Sequence, residues 1–254
     1  MTNLATTTSS PLRAHPDIDS LRVDLSAAYR MATRLGMHEG ICNHLSVMLP
    51  GRRDRFLINR RDRHWGRITA GNLLVIDAEG NTVEGDGLPL RTGPTIHTRI
   101  HLEHPNAQVV FHTHMPYATA IACTRGGRLL PVHQNSLRFF DQCAYDETFS
   151  GLALDMDEGS RMAKVMAGNR ILFLRHHGVI VVADSIAQAF DDLYYLERAC
   201  QVQVLAASMG EPALIPNEIA SAGAAQFAAL KDSAERHFTE IKAILDTEEP
   251  DYAH

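Results

Sequence analysis

The residues best able to do chemistry lie in two short runs. In Val109-Val110-Phe111-His112-Thr113-His114, two histidines are separated by a single residue. On a strand, positions i and i+2 face the same side, so these two imidazoles would project together. A third histidine closes another apolar run, Leu172-Phe173-Leu174-Arg175-His176-His177-Gly178. Three imidazoles at strand ends, with a fourth coordination position open, suit a catalytic Zn²⁺, Mn²⁺ or Fe²⁺ ion. An HxH pair alone is as often a structural pair satisfied in a core; the later His-His-Gly run tips the reading toward a metal. The expectation is one divalent ion per subunit on His112, His114 and His177, zinc first, with manganese or iron as alternatives.

Other candidates surround this set. His97 and His101 are four residues apart on an expected helix, so both can point the same way; one of them, His97, is a candidate proton donor and the other a structural hydrogen-bonding group. His133 and Tyr145 lie near expected strand or loop ends, where active-site groups collect, and are further candidate catalytic residues, although packing roles serve equally well. His176 would face away from its neighbour if the strand persists. Glu158 opens a helix, where it complements the dipole. Trp65 reads as a loop anchor.

The elements that must position these groups follow from periodicity. Ile18 to Leu35 has helical spacing and ends at Gly36; Leu45, Val47 and Leu49 alternate as a strand. Phe56-Leu57-Ile58 and Leu73-Leu74-Val75-Ile76 are further strands, and Asp77 to Asn81 is a hairpin turn into Thr82-Val83-Glu84. A helix is expected over Pro94–His104, a strand over Ala107–His114, a short helix over Pro116–Cys123 and a short strand over Leu129–His133. Asp157 is expected to cap a helix over Glu158–Met166, followed by strands at Ile171–Leu174 and Gly178–Val182. Ser185 caps a long helix to about Ala207, and one last amphipathic helix is expected over Ala224–Leu245. The fold class is α/β: a single domain (17–246) with a mixed, mostly antiparallel central sheet and helices on both faces. Residues 1–16 are expected to be a disordered arm and 247–254 an acidic, mobile tail.

The chain has 254 residues and a net charge of -6. Arg52, Arg53, Arg55, Arg60, Arg61, Arg63 and Arg67 are interrupted by acids and apolar residues, so the balance argues against a nucleic-acid partner. The 4 cysteines are scattered without a CxxC pair, and no apolar run approaches the roughly 20 residues of a membrane span. A cytoplasmic protein without membrane contact is expected.

The sequence resembles the class II aldolase/adducin family over about residues 20–215. The resemblance is carried by Asn43-His44-Leu45-Ser46, Ile68-Thr69-Ala70, Leu73 to Asp77, Gly80-Asn81, Ile96-His97, His104 to Ala107, His112-Thr113-His114, Glu158-Gly159, His177-Gly178 and Glu197 to Cys200. It implies that His112, His114 and His177 bind the catalytic metal, that Asn43 lies near the substrate, and that subunits form a homotetramer with sites at their interfaces. Aldolases of the family carry Ser-Ser-Glu about 19 residues before the first ligand histidine, with the glutamate as acid/base and the serines holding phosphate. That count lands on Arg91-Thr92-Gly93. Glycine moves no proton, and an arginine there could grip a carboxylate in bidentate fashion, so Arg91 and Thr92 become substrate-binding candidates for an acid rather than a sugar phosphate.

The expected function is therefore a metal-dependent lyase that breaks a carbon–carbon bond in a small oxo- or hydroxy-carboxylic acid, decarboxylation ahead of retro-aldol cleavage. Two alternatives stand beside it: a three-histidine non-haem iron oxygenase, marked by dependence on Fe²⁺ and O₂, and a non-catalytic adducin-like assembly module, marked by a metal-free histidine cluster.

Overall fold

A computed structural model describes residues 17–254; the arm expected over residues 1–16 lies outside the described residues. Asp17 caps α1 (Ile18–Arg34), its carboxylate accepting the Ser20 amide at 2.7 Å. The strands β1 (His44–Leu49), β2 (Arg52–Ile58), β3 (Leu74–Asp77) and β4 (Thr82–Glu84) follow as an antiparallel meander. Next come α2 (Thr92–Glu103), β5 (Val109–Thr113), α3 (Pro116–Cys123), β6 (Cys143–Asp146), α4 (Met156–Met166), β7 (Ile171–Leu174) and β8 (Gly178–Ala183). Three helices, α5 (Ile186–Met209), α6 (Asn217–Ala228) and α7 (Ser233–Glu248), complete the order.

All eight strands form one sheet, in the order β4-β3-β2-β1-β5-β8-β7-β6. Only the β6–β7 pair is parallel. This is the mixed, mostly antiparallel α/β sheet with helices on both faces that the alternation of apolar residues predicts. Strand parity divides the interior. Leu45, Val47, Val109, Phe111, Phe173, Val179 and Val181 pack with α1, α3, α5 and α7 on one face. Val110, Leu172, Leu174, Ile180 and Val182 pack under α2 and α4 on the other, continued by Met48, Phe56, Ile58, Leu74 and Ile76. Helix α4 can lie close on α2 because Gly159 has no side chain: a Cβ there would stand 2.0 Å from the Thr95 carbonyl oxygen.

Several boundaries differ from expectation. Asp155, not Asp157, caps α4, with its carboxylate accepting the Glu158 amide at 3.0 Å. The strand expected at Leu129–His133 forms no ladder: Pro131 lacks an N–H, and the Leu130 amide donates to the Gln203 side chain at 2.7 Å. The single helix expected over Ala224–Leu245 is two, because α6 packs against the turn at Gln134–Phe139 while Phe238, Ile241 and Leu245 of α7 pack with α5. Trp65 is fully buried, edge-on to Tyr29 at 4.7 Å, as a loop anchor should be.

The largest correction concerns residues 247–254, expected as a mobile tail. They are docked. Tyr252 is 2% exposed, and its carbonyl accepts the Ser26 hydroxyl at 2.9 Å. Arg30, buried in α1, donates to Ile68 O and pairs with Glu249 and Asp251. A buried guanidinium needs acidic partners, and these acids supply them; their charge binds the segment rather than freeing it. Residues 249–252 are therefore packed on α1 rather than free of the domain.

Candidate metal centre

His112, the penultimate residue of β5, lies opposite His44 of β1 and Ile180 of β8. His114 follows at the corner between β5 and α3. Glu197 of α5 holds that corner, its carboxylate accepting the Tyr117 and Ala118 amides at 2.9 Å each. His177 occupies the tight turn between β7 and β8, beside His176 at a positive φ of 56°. The strand does not persist through His176, so it adopts the turn conformation and its ring lies near Phe149 at 6.0 Å instead of pairing across the sheet. Gly178 is required by close approach: a Cβ there would stand 2.4 Å from the Thr113 carbonyl oxygen and 2.7 Å from the His114 ring.

The structure brings all three predicted ligands together. Their rings are 4.7–5.0 Å apart, centroid to centroid, and one nitrogen from each lies within 4.8 Å of the other two. The hydrogen bonds say which nitrogens face inward. Nδ1 of His112 donates to the Val179 carbonyl at 3.0 Å, and Nδ1 of His114 is 2.6 Å from the Glu39 carboxylate. Both Nε2 atoms then turn to one another at 3.1 Å. With the Nδ1 hydrogens committed, two lone pairs face each other across a gap close to the roughly 3.4 Å that separates ligands around a tetrahedral ion with ~2.1 Å bonds. That arrangement fits a divalent cation, and the carbonyl and carboxylate behind the rings fix tautomer and orientation as outer partners of metal histidines do. Burial pushes His177 down to about 4, with the His114 ring adding to it, and holds His112 well below the usual histidine range. Neutral imidazoles are what a metal needs.

Behind the triad runs a second row, in which His44, Ser46, His97 and His101 are buried. His44 Nε2 lies 3.1 Å from the Thr92 hydroxyl, and His44 Nδ1 lies 2.8 Å from His97 Nε2. His97 Nδ1 meets the Ser46 hydroxyl, which is also 2.7 Å from His101 Nε2; His101 Nδ1 ends the row on the Ala107 carbonyl at 2.6 Å. Burial, reinforced by His114 and His177, pushes His44 down to about 3. Burial likewise pushes His101 down to about 4 and His97 well below its ordinary value. The row touches the triad through His44 and His112, whose ring centroids are 5.1 Å apart.

The remaining candidates are distributed unevenly. Asn43 stands beside the triad at a left-handed φ of 70°; its Oδ1 accepts the His114 amide at 3.3 Å, while its buried Nδ2 has no partner. Thr92 is half-buried at the start of α2, and Arg91 before it is exposed. His97 is close but fully buried inside the row. Tyr145 is not brought to the triad. It sits on β6 opposite Phe173, stacks on that ring at 5.2 Å and accepts the Leu129 amide at 3.1 Å, so parity turns it to the face opposite His112. His133 precedes the turn at Gln134–Phe139, and no ring contact or hydrogen bond joins it to the triad among the described residues. Sequence reasoning missed Glu39 and the linking role of His44 and Ser46. His44 and Ser46 share parity with His112, but that signal exists only once β1 is known to pair with β5.

The profile of the Class II Aldolase and Adducin N-terminal domain matches residues 23–204. A Caulobacter vibrioides protein named as a class 2 aldolase is 36% identical over 192 residues, 74% of this chain and 73% of its own. The decarboxylase NovR of Streptomyces niveus is 31% identical over 197 residues, 77% of this chain and 73% of its own. A crystal structure of an aldolase II superfamily protein from Pseudomonas syringae superposes with a TM-score of 0.87 at 32% identity, covering 95% of this chain and 98% of that one. With the fold, the three converging histidines and the matched span in agreement, the chain belongs to the class II aldolase/adducin family.

Proposed function

We propose that this protein is a divalent-metal-dependent carbon–carbon lyase acting on a small oxo- or hydroxy-carboxylic acid, with decarboxylation preferred over retro-aldol cleavage. The observation that carries the proposal is the inward convergence of His112, His114 and His177, with Gly93, which has no acid or base to offer, against the adjoining His44. A Cβ on Gly93 would stand 3.1 Å from the Ile58 side chain and 3.3 Å from the His44 ring, so a larger residue there would require both to shift. Zinc is the first choice for three imidazoles, with manganese or iron next. Bound there, a divalent ion supplies Lewis-acid polarisation of a substrate oxygen and a sink for the electrons of the breaking bond.

The chain's own residues narrow the chemistry. Retro-aldol cleavage begins with removal of a hydroxyl proton, and Gly93 removes none. Loss of CO₂ requires no base at the outset. Glu39 is a carboxylate near the ligands, but its oxygen is committed to His114 Nδ1 and holds that ring in place. Asn43 has a buried, unpartnered Nδ2 as a donor for substrate oxygen. Arg91, at the exposed start of α2, is suited to grip a carboxylate from the solvent side. The relation to a protein named decarboxylase supports the same preference. Tyr145 and His133 do not reach the triad within one chain, so a catalytic role for either requires a neighbouring subunit. The proposed homotetramer with sites between subunits carries that requirement. A small-molecule acid as partner and a cytoplasmic setting complete the proposal; no helix among the described residues is long and apolar enough to cross a membrane.

The test is direct. Protein purified without chelator is analysed for metal, reloaded singly with Zn²⁺, Mn²⁺ or Fe²⁺, and offered a panel of 3-oxo acids and hydroxybenzoic acids, in which the breaking bond leaves its electrons conjugated to the metal-bound oxygen, with 4-hydroxy-2-oxo acids to detect retro-aldol cleavage. Metal-dependent release of CO₂, abolished by chelator, is the expected result. A loaded protein that releases neither CO₂ nor an aldehyde from any of them overturns the proposal, and consumption of O₂ in step with product on Fe²⁺ alone replaces it with an oxygenase.

A further inference from the structure

The buried row behind the triad has a direction, and the direction can be worked out by counting hydrogens. It starts at the Ala107 carbonyl, which only accepts, so His101 Nδ1 carries a hydrogen. A neutral His101 then has a bare Nε2, which accepts the Ser46 hydroxyl hydrogen at 2.7 Å. Ser46 has one hydrogen, so toward His97 it can only accept, and His97 Nδ1 donates. Were that hydrogen turned instead to the Val110 carbonyl at 3.4 Å, Ser46 would still accept from His97 and the outcome would be unchanged. A neutral His97 leaves Nε2 bare, so His44 Nδ1 donates to it at 2.8 Å; a neutral His44 leaves its own Nε2 bare, so the Thr92 hydroxyl donates to it at 3.1 Å. Every member passes on one donor and one acceptor. The polarity set at one backbone carbonyl beyond the C-terminal end of α2 therefore reaches Thr92 at its N-terminal end.

We infer that this row locks His44 in its Nδ1–H tautomer, so that its Nε2 takes the Thr92 hydroxyl hydrogen and the Thr92 oxygen is left as an acceptor that selects a substrate presenting a hydroxyl hydrogen. A hydroxyl can donate to this oxygen; a phosphate or carboxylate oxygen would have to draw the Thr92 hydrogen away from His44 Nε2, at the cost of one hydrogen bond, and is disfavoured there. His97, Ser46 and His101 act as positioning residues. The row is not a conduit for protons, because it ends on a carbonyl that accepts a hydrogen bond and hands nothing further. The tautomer assignment stands on the fold alone, whereas the substrate selection rests on the lyase reading and sharpens it: the acid's carboxylate must bind elsewhere, on the side of Arg91, and its hydroxyl here.

Nitrogen NMR of zinc-loaded protein with ¹⁵N-labelled histidine tests the first half. His44 and His97 are expected to show protonated Nδ1 and bare Nε2, and Ser46→Ala, which removes the link that relays the polarity, is expected to let the Nε2–H form of both appear. Wild-type His44 found with hydrogen on Nε2, or left unaffected by S46A, overturns the lock. The second half uses lactate and 2-methoxypropionate as probes, since both offer the same oxygen to zinc and only one offers a hydroxyl hydrogen. Wild type is expected to favour lactate by about tenfold, one hydrogen bond's worth, and Thr92→Val to reduce that preference severalfold. An equal preference in both proteins overturns the selection. Because the NMR signals do not depend on turnover, a lock that holds in an inactive protein would remove the lyase reading and leave this row standing.

Discussion

Two groups of three histidines lie side by side in this molecule and use their nitrogens in opposite ways. In the row of His44, His97 and His101, all six ring nitrogens have a protein partner. In the triad of His112, His114 and His177, only the outward Nδ1 atoms of the first two are anchored. Their Nε2 atoms meet only each other, and the His177 ring has no hydrogen bond from a described residue. Burial alone does not separate them, since His112 is buried like His97 although His114 and His177 are only half-buried. What separates them is whether the protein satisfies each nitrogen from within. A closed set is structural and holds a tautomer; a set with lone pairs converging on one point calls for a cation from outside.

Four experiments can break or sharpen that contrast, taken from the largest expected effect downward. Replacing His177 with Ala should drop bound metal to background by elemental analysis, a loss beyond the ~100-fold that outer partners command. The same protein should keep its fold by circular dichroism, and a variant that retains a full metal equivalent would dissolve the distinction. Next comes acid stability of the metal-free protein. Burial holds His101 at about 4 and His44 at about 3, below the ~6.5 of an unfolded histidine. Unfolding therefore takes up protons, so stability is complete above about pH 6.5 and falls as the pH drops toward 4. For His101 alone that window amounts to about 3 kcal/mol. Urea unfolding across the window should show wild type losing stability more steeply than His101→Gln, by one proton; equal slopes would mean the row is already charged or open.

A smaller effect is expected at Glu39. Glu39→Gln keeps the shape and removes the charge behind His114, and zinc affinity by competition with a chromogenic chelator should fall about 10- to 100-fold with unfolding at neutral pH hardly altered. Unchanged affinity would show that the carboxylate does not orient the ligand. The smallest effect falls on Thr92→Val, which takes one hydrogen bond from the outer end of the row. About 1 kcal/mol of stability should be lost, with zinc content intact; a drop in zinc would mean that the two groups are one.

Much of the site could be read before any coordinates. His112 and His114 are two apart on a strand, and that local period alone aims both rings to one side. His177 before Gly178 resembled the family's third ligand, and the structure adds why the glycine is needed, since any Cβ would strike Thr113 and His114. Tyr145 went astray for the complementary reason. Strand ends collect functional groups, but which face a residue on an edge strand meets depends on its register with β7, and Tyr145 falls in step with Phe173. The terminal acids suggest a mobile tail because nothing local announces that Arg30, more than 200 residues earlier, is buried and pairs with them.

What the chain determined by itself, then, was everything with a short period: the alternation of the strands, the apolar stripes of the helices, the pairing of His112 with His114 and the absence of an acid at position 93. Only the tertiary structure decided which strands lie side by side, and with that the row from Thr92 to Ala107, the meeting of His44 with His112 and the docking of residues 249–254. The physical reason is that backbone periodicity is written in neighbouring residues, whereas lateral strand order and the burial of polar groups are settled by the whole chain at once, when each hydrogen bond and each apolar face must find its partner in a single packed arrangement.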